Sequence, residues 1–115
     1  RDWTNLDTIY AALREVNREH PGPKTLVHGA ARGADQMAAT VAKELGWSIE
    51  AHPADWDRHG KKAGFLRNAE MVNLGADYGL AFIRNSSSGA TMTLQLMIKA
   101  GIPGKVYRQE TLYDR

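Results

Sequence analysis

Apolar residues recur along the chain in four stretches of helical spacing, separated by short apolar runs. Leu6, Ile9, Leu13 and Val16 fall on one face, while Arg14, Glu15, Asn17, Arg18 and Glu19 cover the other. Thr4 with Asp7 reads as a capping box opening this helix, and Pro21-Gly22-Pro23 ends it. Residues 24–28 show no alternation, as expected of a strand buried on both faces. A second helix over 33–45 turns Ala34, Met37, Ala38, Val41 and Leu45 inward and stops at Gly46. Residues 47–51 read as the next strand, ended by Pro53. The third helix, over 63–74, lines up Phe65, Ala69 and Val72. A strand over 77–83, a helix over 90–100 and a last strand over 104–107 complete the pattern.

Strands alternating with helices imply right-handed crossovers and a parallel sheet covered on both sides. The expected fold is therefore a Rossmann-like three-layer α/β/α sandwich, a single domain over 1–115. Such a chain ordinarily opens with a strand, so a first strand and its turn, about eight to twelve residues, are expected before Arg1. The fourth helix carries Met92, Leu94, Leu96, Met97, Ile98 and Ala100, which leave little of its circumference polar. A helix apolar all round wants burial on two sides, and the expectation is a homo-oligomer contact through residues 90–100.

Composition narrows the function classes. No apolar run approaches 18 residues and no signal-peptide pattern is present, so neither a membrane span nor export is supported. The absence of cysteine excludes disulfides and thiolate chemistry and fits the cytoplasm. Fifteen basic and 13 acidic side chains leave a net charge of +2, too small to argue for nucleic acid. The charge is uneven, however: Arg58, His59, Lys61, Lys62 and Arg67 crowd one stretch.

In an open parallel sheet, ligands bind beyond the carboxyl ends of the strands. Gly29 and Gly33 permit a sharp turn close to a ligand, and Arg32 between them adds donors suited to phosphate. Asp35 then opens a helix whose first amides favour an anion. The same residues also read as a tight turn with Asp35 as a cap. The run Ser86, Ser87, Ser88, Gly89, Ala90, Thr91 repeats that chemistry after a later strand. Neither a Walker lysine nor G-x-G-x-x-G occurs, and no cofactor is expected. His52, Asp55, Asp57 and His59 match no metal-ligand spacing, so no metal is expected either. Arg67 and Asn68 are placed to reach an anion or a base edge, or Arg67 pairs with Glu70 along the helix. Trp3 and Trp56 either stack on a base or plug their loops into the core. Glu50 and Glu70 are potential acids or bases with nothing to pair them, and no G-x-S-x-G elbow is present, so catalytic residues are not assigned.

"RDW", "HGAARGAD", "PADWDRHGKKAGFLRNAEM", "GADYGLAF" and "AGIP", in that order, resemble the YspA-like, cpYpsA-related branch of the SLOG superfamily. Its relatives include the Lonely Guy phosphoribohydrolases and the DNA-uptake protein DprA/Smf. The resemblance implies a Rossmann-like fold and a nucleotide-derived ligand. It marks Arg1, Asp2 and Trp3 as the remnant of a first binding turn. Gly29, Ala30, Arg32, Gly33, Ala34 and Asp35 form the second turn, and Arg67 and Asn68 the third-helix pair. Ser86, Ser87, Ser88, Gly89 and Thr91 stand in a modified Gly-Gly-x-Gly-Thr phosphate turn. In the reading built on these turns, Trp56 or His59 covers the base or sugar. The phosphoribohydrolases place a glutamate shortly after that turn, whereas here Met92, Thr93, Leu94 and Gln95 follow.

The leading expectation is thus a cytoplasmic module that binds, senses or processes a nucleotide-derived small molecule. An alternative is a hydrolase of a nucleoside monophosphate-like substrate, with Glu70 or Asp35 replacing the missing acid. A DprA-like DNA-binding module using the basic patch over 58–67 is the third reading.

Overall fold

A computed structural model of the chain describes residues 3–85 and 88–109. Arg1, Asp2, Ser86 and Ser87, all named above as candidate ligand contacts, lie outside the described residues.

The order is α1 (Leu6–Glu19), β1 (Thr25–His28), α2 (Ala34–Glu44), β2 (Ser48–Ala51), a short α3 (Trp56–His59) running through a 3₁₀ turn into α4 (Ala63–Asn73), β3 (Gly79–Arg84), α5 (Ser88–Lys99) and β4 (Gly104–Gln109). The alternation read from the sequence is present. Between β2 and the helix expected over 63–74 the chain adds a helical turn, because the Asp55 carboxylate accepts the Arg58 N–H and caps it.

α1 is capped one residue later than the Thr4 box suggests. Asn5 Oδ1 accepts the Thr8 N–H at 3.1 Å. Thr4 is instead drawn to the end of β4, where its N–H donates to Gln109 Oε1 and its hydroxyl accepts from Gln109 Nε2. The buried stripe of α1 is Ile9, Ala12 and Leu13, with Leu6 left exposed. It meets Ala34, Ala38, Val41 and Ala42 of α2 in a core completed by Trp3 and Phe82.

Every strand pairing is parallel. β1 lies beside β2, from Thr25 opposite Ser48 to His28 opposite Ala51. β3 lies beside β4, from Gly79 opposite Gly104 to Arg84 opposite Gln109. The single continuous sheet expected from the pattern is not what forms among the described residues: the strands make two separate pairs. Leu26 of β1 and Leu80 of β3 pack against one common core, so the pairs are joined by apolar contact rather than by backbone hydrogen bonds.

Helices α4 and α5 are less covered than their sequences suggest. Ala63 is the one fully buried residue of α4, while Phe65, expected to face inward, is 47% exposed. No described residue of α5 is fully buried, and Ile98 is 67% exposed. No helix among the described residues is long and apolar enough to cross a membrane.

Candidate functional site

Three consecutive amides leave the end of β1, and side chains of the same turn take all three. Asp35 Oδ2 accepts the N–H of Gly29 at 2.9 Å and of Ala31 at 3.2 Å. The Ala30 N–H donates to His28 Nδ1 at 2.9 Å, so the neutral imidazole carries its proton on Nε2. Ala30 sits between them with φ 59°, a left-handed conformation that a Cβ disfavours. The turn is therefore an anion cradle, and the anion it holds is the carboxylate of Asp35. The geometry suits an anion and the chain itself supplies one: Asp35, inside the first turn of α2, closes the turn before the helix rather than capping the helix. The donors left for another molecule are the exposed Arg32 and the amides that open α2 at Gly33 and Ala34.

Beside this turn the chain fixes a guanidinium. Arg67, in the second turn of α4, donates from Nη1 to the Gly29 carbonyl and, at 3.4 Å, to the His52 carbonyl. Its Nε–H donates to Asn68 Oδ1 at 2.7 Å. A Cβ built on Gly29 would lie 2.7 Å from this guanidinium, so the position accepts glycine because Arg67 needs the space. The sequence reading gave Arg67 a direct ligand role or a pairing with Glu70. Its first partners are instead the carbonyls ending β1 and β2. Nη2 has no partner among the described residues and stays available, as does the Asn68 side-chain amide.

The strand before that carbonyl carries a second pair. His52 Nε2 lies 2.6 Å from Glu50 Oε2, so the Glu50 read from the sequence as unpaired has a partner two residues away. Strand alternation was the available signal, since residues i and i+2 share a face.

Trp56 opens α3 with 55% of its surface exposed, and its ring edge lies 3.4 Å from where a Cβ on Gly64 would stand. His59 is exposed on the same turn, with Arg58, Lys61 and Lys62. Ser88, Gly89 and Thr91 open α5, following Asn85, which holds φ 50° at the end of β3. Of the two roles read for Trp3, a ligand contact or a plug into the core, the structure shows the plug. It is 2% exposed, packs edge-on against Phe82 at 5.3 Å, and donates its indole N–H to the Asn5 carbonyl. A ring buried this way anchors the start of α1 and offers no face to a ligand. Among the described residues no three of His, Asp and Glu converge on a metal position, and His52, Asp55, Asp57 and His59 form no such group.

The described residues form a parallel α/β protein with polar turns at its strand ends. Residues 1–59 of the 115 match the YspA, cpYpsA-related SLOG family. The chain is also 44% identical over 108 residues to the Gene 61 protein of Mycobacterium phage D29, an alignment covering 90% of this chain and 86% of that protein. It belongs to the YspA, cpYpsA-related SLOG family. No solved structure matches it.

Proposed function

We propose that the protein binds a nucleotide-derived small molecule at the carboxyl ends of its strands. The observation that carries this reading is Arg67: a guanidinium clamped to the Gly29 and His52 carbonyls, with one terminal nitrogen left over. A cation immobilised at the ends of two strands has lost its side-chain freedom on folding, so an anion meeting it orders little more. Arg32 and the opening amides of α2 supply further donors on the neighbouring turn, and Ser88, Gly89 and Thr91 those of α5. Trp56 offers an exposed ring for a base, flanked by His59. Asp35, Gly29 and Ala30 hold the turn rather than the ligand. Membership of the SLOG family supports a nucleotide-related ligand.

The two parallel strand pairs, sharing one core, read as halves of a Rossmann-like α/β/α sandwich in a single domain. In that arrangement both pairs present their carboxyl ends on one edge.

A thermal-shift panel of AMP, ADP-ribose, NAD and ribose 5-phosphate tests the reading, because a ligand bound only by the folded state raises its melting temperature. The expected result is a rise with a nucleotide that Arg32→Ala weakens. A flat panel contradicts it.

A further inference from the structure

Ligand binding leaves the Glu50–His52 pair without a task. The register sets Glu50 opposite Val27, and the His52 N–H on the His28 carbonyl carries the ladder one step further, bringing His52 beside Gly29. Side chains at paired positions of a ladder leave the same face. Glu50, His52 and the Arg67 guanidinium, which fills the space a Gly29 Cβ would enter, therefore share one face of the β1–β2 ladder. The His52 side chain is 19% exposed and that of Glu50 50%, so the carboxylate reaches the ring from the solvent side. His52 Nδ1 has no hydrogen-bond partner among the described residues.

An imidazole oriented by a carboxylate through one nitrogen, with the other open, is an arrangement for proton transfer. Its neighbours select the reaction. Arg67 Nη2 is suited to the oxygens of a phosphoryl group as charge builds on them. Glycosidic cleavage instead calls for a free carboxylate facing the sugar carbon. The carboxylates of Asp35, Glu50 and Asp55 are committed, to backbone amides or to His52, while Glu70 stands exposed on α4.

We propose that His52, oriented by Glu50, is the catalytic base of a phosphate-ester hydrolysis at this edge, a step that rests on the edge being the nucleotide-ligand site. His52 Nδ1 takes a proton from water as the water oxygen bonds to phosphorus. The ester P–O bond breaks with its electron pair on the departing oxygen, which receives the proton from the imidazolium. The products are an alcohol and a phosphate with one ester link fewer. Glu50 stays ionised, accepting the Nε2–H, and acts as a positioning residue.

The test measures p-nitrophenol release by the full chain from p-nitrophenyl phosphate and bis(p-nitrophenyl) phosphate, beside the AMP thermal shift of the same samples. Release is expected from the wild type and falls by about 100-fold or more in His52→Gln. In Glu50→Gln, kcat drops about 10-fold with KM within about twofold, a split that mere loosening of the fold does not produce. Melting curves of both variants establish that they are folded, and Glu50→Gln, at a half-exposed position, carries the test if His52→Gln is not. No release above the protein-free control, release that persists in a folded His52→Gln, or unchanged kcat in Glu50→Gln overturns the proposal. An AMP shift retained without turnover removes the dyad and leaves the binding site standing, whereas loss of both removes both.

Discussion

Ala30 at φ 59° holds a conformation that costs a residue with a Cβ about 1 kcal/mol, and it is kept there by its own N–H donating to His28 Nδ1 and by the N–H groups of Gly29 and Ala31 on either side donating to Asp35. Ala30→Gly removes that strain while loosening the unfolded chain, so a net gain of about 0.5 kcal/mol is expected in urea melts. Gly29→Ala goes the other way. Its methyl enters the space of the Arg67 guanidinium and displaces it from two carbonyls, at about 2 kcal/mol in the same melts. Asp35→Ala leaves the Gly29 and Ala31 amides without their acceptor and costs about 1–3 kcal/mol. It also opens the cradle, so added phosphate should recover part of the lost melting temperature in Asp35→Ala and do less for the wild type.

Between elements, α1 is tied to β4 at both ends: by Thr4 with Gln109, and by Lys105 Nζ at 2.6 Å from Glu15 Oε1. The hydrogen bond from Lys105 holds the Glu15 carboxyl below its ordinary range, and the same bond holds Lys105 above its own. A depressed carboxylate stabilises the fold above its unfolded value, and that contribution is lost as pH falls through the folded one. A raised lysine contributes fully below its unfolded value and ceases to as pH rises through the folded one. The difference in melting temperature between wild type and Glu15→Gln should therefore be flat across neutral pH and vanish in acid. It should also be small and shrink with salt, since the pair is on the surface. Apart from the short α3, the helices and strands were legible to within a residue or two because Pro21-Gly22-Pro23, Gly46 and Gly75 punctuate them. The cap of α1 was missed by one residue because Thr4 answers to Gln109 at the far end of the chain. The task of Arg67 was hidden for the same reason: nothing local to α4 says that Gly29 has left room for it. The Glu50–His52 pair is a purely local contact that strand alternation makes readable.

At the scale of the molecule, the two strand pairs share one apolar core with no ladder between them among the described residues, while Phe65 and Leu66 on α4, Leu74 at its end and Ile98 on α5 lie exposed. Covering such side chains drives association. Sedimentation is expected to show self-association that rises with concentration and that Ile98→Glu weakens. A small ligand held by two guanidinium groups should lose little affinity between low and high salt, whereas a DNA contact through Arg58, Lys61 and Lys62 would lose it steeply. The most direct measurement of the central claim is an amide and side-chain NMR titration of the full chain with AMP and ADP-ribose. Shifts are expected at the amides from Arg32 into the first turn of α2, at the Arg67 Nε–H and at the Trp56 indole. Shifts confined to the apolar groove around Leu94, Met97 and Ile102, at the opposite ends of β3 and β4, would contradict it, as would a spectrum that neither nucleotide moves.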